Sequence, residues 1–318
     1  MTHDSEKTIL RTLIFFDLLD YPLTLFEIWK CACVLEGAER IAFSEVVDFL
    51  HSASSLRERV GQCDGVYTLA GRGGLSDIRR EGTVYADQKY RIAQKMARIF
   101  SWFPFVRMVC ACNTVGLGAA KKSSDVDLFI VARANHLWFV RLLCTGYVHV
   151  LGRRPRGNVV RDTLCLSFYA GDDALNFSSV ANPPIQGVPD IYFLYWITWC
   201  VPIYDDGVYE VFFTENAWVQ SVLPNRIPFL PAPHRRVVLS RFARAFKSSM
   251  EHVIDFFGSL VELGSRGIQR LLMPRSITSK IGQGTGVIVS DSLLKFHITD
   301  RRHDIQEEFL RRCKEMNI

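Results

Sequence analysis

The chain has 318 residues, 48% of them apolar and 22% charged, which allows two or three cores and excludes a disordered or fibrous chain. Its longest mostly apolar stretch without a charge, Ile191 to Tyr204, is 14 residues, short of the about 20 that span a bilayer. With an acidic, non-secretory N-terminus, MTHDSEKTILRTL, the expectation is a cytoplasmic protein with no membrane partner. Nine cysteines, odd in number and without a CxxC, do not form a disulfide or zinc framework.

The net charge of +5 is segregated. Arg72 to Arg107 carries eight basic residues against three acids, and Asp162 to Leu230 carries eight acids against Arg226 alone. Such runs suit either a polyanionic substrate or a set of solvated helix faces.

The elements follow in chain order. Ile9, Leu10, Leu13, Ile14 and Phe16 to Leu19 recur at helical spacing, and Asp20-Tyr21-Pro22 ends that helix. Thr24 with Glu27 three residues on has the capping-box pattern, and the helix it opens is predicted to run to Leu35. A third helix over Phe43 to Leu50 is expected to be capped by Ser44. Two extended pieces around Asp64-Gly65 predict a hairpin. Three helices and a hairpin are the layout of a winged helix.

After Gly71 to Gly74, a basic helix is predicted from Ser76 to Phe100. Strands follow at Phe105 to Cys112, Asp125 to Val131 and Thr163 to Tyr169. Helices are expected at Thr114 to Lys121 and at His136 to Leu151. This alternation indicates a small α/β or α+β sheet. The remainder reads as helical: an aromatic-rich segment over Ile191 to Trp199, then a long amphipathic pattern over Arg235 to Arg270, continuous or broken at Gly258. Gly282 to Gly286 reads as a flexible linker. The predicted division is 1–73, winged-helix-like; 74–104, basic helix; 105–180, the sheet core; 181–318, helical.

The chemistry concentrates in Asn113 to Val131, NTVGLGAAKKSSDVDLFIV. Asp125 and Asp127 are two apart on a strand and so share a face. Like charges this close call for a cation between them, and Mg²⁺ (or Mn²⁺) suits carboxylates plus substrate phosphates. A helix starting near Thr114 offers backbone N–H groups to an anion. Gly116 and Gly118 would let phosphate approach the backbone, and Lys121 and Lys122 add positive charge between the two sites.

A hydroxyl residue after a strand, an eleven-residue interval and Ser124-Asp125-Val126-Asp127-Leu128 together resemble the DNA polymerase beta-type nucleotidyltransferase superfamily. More closely, the chain resembles bacterial nucleotidyltransferase-domain proteins with an N-terminal winged-helix-like segment. The hairpin Gly65 to Leu69, Gly71-Arg72 before the basic helix, Leu137 to Arg141 and Asn216 to Val219 fit that arrangement. The resemblance implies a nucleotidyltransferase-type mixed sheet and a Mg²⁺-dependent transfer of a nucleoside monophosphate from a nucleoside triphosphate to an acceptor hydroxyl. It places metal ligands at Asp125 and Asp127, and triphosphate contacts at Asn113, Thr114, Gly116, Lys121, Lys122 and Ser124. The family's Gly-Ser is Asn113-Thr114 here. Its third carboxylate has no counterpart inside Thr163 to Tyr169, and Asp162 is the candidate substitute.

The acceptor is open: a small molecule, a protein side chain or an RNA end. The alternative is a catalytically degenerate domain that binds nucleic acid or a protein. DNA reading is poorly served, because the third helix turns Glu45, Asp48 and His51 outward. Trp138 at helical spacing reads as core, Arg141 as surface or ion-paired, and His297 as structural.

Overall fold

The computed structural model describes residues 3–36, 39–52, 58–154 and 160–318. The chain is a mixed α+β fold. Its first elements are helix α1 (His3–Asp17), strand β1 (Leu23–Thr24), helices α2 (Leu25–Lys30) and α3 (Phe43–Ser52), and the hairpin strands β2 (Val60–Cys63) and β3 (Val66–Leu69). The strands form a small antiparallel sheet in the order β1-β3-β2.

The local signals act as their chemistry requires. Thr24 Oγ1 accepts from the Glu27 N–H while Glu27 accepts from the Thr24 N–H at 2.8 Å, a complete capping box. Asp64 and Gly65 both have positive φ, 51° and 76°, the geometry of a tight hairpin turn. Two details differ from expectation. Helix α2 stops at Lys30, because beyond Cys31 the chain is drawn away and the Val34 N–H donates to the Val222 carbonyl at 2.8 Å. Ser44 lies inside α3, whose start is instead bridged by Glu45, accepting from the Ala42 N–H.

Helix α4 (Leu75–Phe100) leads into strand β4 (Val106–Ala111), the short helix α5 (Asn113–Leu117), strand β5 (Val126–Ala132), helix α6 (Leu137–Val150) and strand β6 (Leu164–Gly171). Strands β5 and β6 are parallel, joined across α6. Helix α7 (Ile191–Thr198), strand β7 (Val201–Asp205) and helix α8 (Tyr209–Glu215) follow. The chain continues through helices α9 (Arg241–Leu271) and α10 (Arg275–Thr278), strands β8 (Val287–Val289) and β9 (Leu293–Phe296), and helix α11 (Arg302–Glu315). The sheet order is β7-β4-β5-β6-β9-β8. The region expected to be helical therefore supplies three of its six strands.

Alternation on these strands builds two cores. One face carries Val126, Leu128 and Ile130 of β5 against α4, α6 and Ala243 of α9. The other carries Met108, Cys110, Phe129 and Phe168 against α7, α1 and α11. Phe15 of α1 stacks on Tyr195 of α7 with centroids 4.4 Å apart, and Tyr195 donates to the Cys31 carbonyl at 2.6 Å. The N-terminal unit thus shares a core with the sheet.

The segment Gly282 to Gly286 is tied into this frame. The Thr285 carbonyl accepts from Lys295 at 2.7 Å and its hydroxyl accepts from Arg302 at 2.6 Å. Helix α9 is broken at Gly258, whose φ of 38° and ψ of −119° lie outside the helical region.

Candidate functional site

Strand β5 is interior to the six-stranded sheet and pairs with β4 on one side and β6 on the other. Asp127 lies on it and Asp125 immediately precedes it, both half-buried. Asp127 is in register with Cys165 of β6. One ligand atom from each of Asp125, Asp127 and Cys165 falls within 4.8 Å of the others. The strand noted to lack a third carboxylate therefore sets a thiol beside Asp127.

Two half-buried carboxylates side by side raise each other's cost of ionisation. Burial, and then the charge of Asp125, push Asp127 up to about 6, against hydrogen bonds from Asn113 and Cys165 that favour its charged form. Burial also raises Asp125, opposed by a backbone hydrogen bond and by Lys89. The Cys165 thiol is driven far above its ordinary range by burial and by the charge of Asp127. It is a neutral hydrogen-bond donor at physiological pH, not a thiolate.

Asn113 opens α5 with φ of 51°, a left-handed conformation that among non-glycine residues Asn tolerates best. It keeps the backbone shape that Gly would supply and adds a side chain bonded to Asp127. Gly116 has a different task from the one expected. A Cβ there would collide with the Trp199 carbonyl and lie 3.1 Å from the Ala111 carbonyl, so the glycine lets α5 press onto the chain entering β7. Gly118 ends α5 in the left-handed conformation, φ 82°. Thr114 sits in the first turn, and its carbonyl accepts from the Ala119 N–H.

The turn carrying Lys121, Lys122 and Ser124 is organised from beneath by Lys89 of α4. Lys89 is buried, and its ammonium donates to the Ser124 carbonyl at 2.6 Å and to Asp162 at 2.9 Å. Ser124 Oγ accepts from the Lys121 N–H at 3.0 Å. Lys121 and Lys122 are exposed. Asp162 pairs with Lys89 and Arg161, which offset its desolvation and hold its carboxyl below the usual range. The structure thus gives Asp162 a cationic partner and leaves it outside the Asp125, Asp127 and Cys165 group.

A cavity of about 350 Å³ opens beside Asn113, with Phe168, Tyr192, Trp196, Lys295 and His297 among its walls. Ser167 Oγ lies 3.0 Å from His297 Nε2 and also bonds Cys165, linking the carboxylate group to the cavity. Burial and Lys295 push His297 down to about 4, and burial and Arg302 push Lys295 down to about 7. The histidine is therefore neutral at physiological pH, and the buried lysine holds its proton less firmly than an exposed one.

Lys89, Cys165, Ser167 and Lys295 were not singled out from sequence. Alternation in Thr163-Leu-Cys-Leu-Ser-Phe-Tyr was the available signal for Cys165 and Ser167. Trp138 is fully buried, and Arg141 bonds Gln269 of α9 and lies over the Phe296 ring, so both are packing residues. No protein-family profile matches the chain, and neither a curated protein nor a solved structure matches it.

Proposed function

We propose that the chain is a divalent-cation-dependent nucleotidyltransferase of the polymerase beta type. The observation that carries the reading is the pairing of Asp125 and Asp127 on an interior strand, with Asp127 pushed up to about 6. A cation held between Asp125 and Asp127 would offset their repulsion and bring the raised Asp127 carboxyl back down. Asp125 and Asp127 would hold the Mg²⁺ or Mn²⁺, which would supply neutralisation of phosphate charge there. Asn113 fixes the orientation of Asp127. Thr114 and the first-turn N–H groups of α5 receive the terminal phosphates, and Lys121 and Lys122 offset charge on the departing pyrophosphate. The cavity beside Asn113 takes the acceptor or the base, with aromatic walls and Lys295 within it. The N-terminal unit reads as a winged-helix-like module whose Tyr21 donates to the Leu117 carbonyl at 3.2 Å and steadies α5.

Cys165 favours a second reading, in which nucleotide binds and nothing is transferred. A neutral thiol supplies neither the charge nor the basicity of a carboxylate in register with Asp127, and Mg²⁺ prefers oxygen ligands. Incubation with labelled nucleoside triphosphates and Mg²⁺ or Mn²⁺ tests both. Label transferred to an acceptor and lost in Asp127→Asn supports transfer. Cation-dependent nucleotide binding without transfer, with turnover restored by Cys165→Asp, supports the degenerate form. Absence of both defeats the reading.

Nucleic-acid binding by the basic helix has little charge to draw on. Of the eight basic residues from Arg72 to Arg107, six are held in ion pairs: Arg72, Arg79, Arg80, Lys89, Arg91 and Arg107.

A further inference from the structure

Helix α9 is mounted with its polar face inward. Glu251 accepts from the Phe105 N–H at 2.6 Å and from both Arg107 amino groups at 2.8 Å. Asp255 pairs with Arg133, and Lys247 is buried with a 3.0 Å bond to the Tyr204 hydroxyl. Glu262 accepts from the Trp138 and Phe139 N–H groups at 2.8 and 2.9 Å, capping α6 from outside, and Gln269 donates to the Trp138 carbonyl. These bonds fix the rotation of the helix.

The apolar face consequently points outward. Phe242, Phe256, Leu260 and Leu271 are 75, 85, 72 and 87% exposed, with Phe246 and Val253 also uncovered between them. Trp102 extends the strip, its ring 6.3 Å from Phe246. Large apolar side chains exposed on both segments of α9, before and after the break at Gly258, exceed the scattered apolar exposure of an ordinary surface. The exposed charges of this segment that are not in ion pairs are of one sign. From Arg241 to Lys280, Arg241, Arg244, Arg270, Arg275 and Lys280 are exposed, and among the described residues none is in a close ion pair, though Arg270 lies over the Trp138 ring and within the field of Asp291. The three acids of the same span, Glu251, Asp255 and Glu262, face inward and are bonded there.

We infer that this face of α9 docks on the surface of an anionic lipid bilayer. An apolar strip flanked by basic residues is the pattern of a helix lying in the membrane interface, and exposed Phe and Trp side chains suit that depth. The charge also decides against a second copy. Antiparallel pairing of two α9 helices sets Arg241 and Arg244 against Arg270, and parallel pairing sets each against its own kind. A surface of anionic headgroups neutralises both ends at once. Among the described residues no helix is long and apolar enough to cross a membrane, and an interfacial helix does not need to be. The expectation of no membrane partner rested on the missing span and the N-terminal composition, and neither bears on an interfacial helix.

Full-length protein sedimented with vesicles of equal parts phosphatidylglycerol and phosphatidylcholine tests this. Wild type is expected to bind them at least about tenfold more tightly than pure phosphatidylcholine vesicles. Raising the salt from about 0.1 M to about 1 M should weaken that preference as the Debye length falls from about 10 Å to about 3 Å. The double variant Phe256→Glu with Leu260→Glu should melt as wild type, since both side chains are in solvent, and should lose vesicle binding. If that variant does not fold, Arg241→Gln with Arg270→Gln should remove the anionic preference. Wild type that ignores phosphatidylglycerol vesicles, or a folded glutamate variant that binds them undiminished, overturns the proposal. So does a dimer that the glutamate variant dissolves in the absence of any vesicle binding.

Discussion

Asp127 couples stability to pH in a definite direction. Its folded-state pKa, about 6, lies above the ordinary 3.8. The stability it contributes is full below the ordinary value and is lost as pH rises through about 6. In EDTA, wild type should therefore lose more melting temperature between about pH 4 and about pH 7 than Asp127→Asn, which has nothing to ionise there. Adding Mn²⁺ or Mg²⁺ should raise the melting temperature of wild type more at the upper pH, where the carboxylates are free to bind it. If the two proteins show the same pH dependence in EDTA, Asp127 is not the strained member of the pair. Asn113 gives a second expectation. Asn113→Gly keeps the left-handed backbone and should melt near wild type, whereas Asn113→Val should cost about 1–2 kcal/mol in denaturant titration. The carboxylate pair was legible because a spacing of two on an apolar strand has one geometric meaning. Cys165 was not, because the parallel register of β6 that brings it beside Asp127 is not written in either strand's own sequence. Lys89 was hidden for the opposite reason, a charged side chain counted as solvated that lies buried under the Ser124 turn.

At the scale of elements, the strands and helices bordering the site follow from periodicity, and their boundaries fall within a few residues of expectation. The three late strands do not. Val201–Asp205 contains Pro202, while Val287–Val289 and Leu293–Phe296 are three and four residues long beside a glycine-rich stretch. Each is stabilised by the sheet edge it joins more than by its own sequence. Helix α9 was visible as amphipathic, with Gly258 as its break, but not which face turns inward. That is decided by Arg107, Arg133 and the first-turn N–H groups of α6, none of them close in sequence. Glu251 is central to that clamp. Glu251→Ala should cost about 3–5 kcal/mol, because it strands a largely buried Arg107 and the Phe105 N–H. Glu251→Gln, whose one oxygen still accepts from the Phe105 N–H and one Arg107 amino group while its NH2 faces the other, should lose less than Glu251→Ala. Gly116→Ala should destabilise by about 1–3 kcal/mol, since the neighbour that must yield is the Trp199 backbone. Equal stability in both proteins would show that α5 does not press on that chain.

For the whole molecule, the sequence suggested a boundary near residue 73, and the composition there, Gly71 to Gly74, supports a turn. The packing argues that what precedes the turn does not stand alone. Phe15 stacks on Tyr195 and contacts Trp199 and Phe309, and Arg312 of α11 pairs with Asp17 of α1 at 2.6 Å. The first and last helices thus close over the same core as α7. Separation of residues 1–73 would expose Ile9, Leu13, Phe15 and Phe16, whose burial depends on residues more than a hundred positions away. The chain is therefore expected to melt in one calorimetric transition, not as a small N-terminal unit followed by the sheet. Phe309→Ala sharpens the test, since Phe309 is fully buried. Its loss should cost about 3–5 kcal/mol. With a shared core, the whole transition shifts down and remains single. With independent domains, one of two transitions shifts and the other stays. A two-step melt in wild type, or a shift confined to part of the heat absorbed, would show that the N-terminal unit folds separately. The position of Tyr21 on α5 would then be a docking contact, and the candidate site would be coupled to the N-terminal unit only when the two are docked.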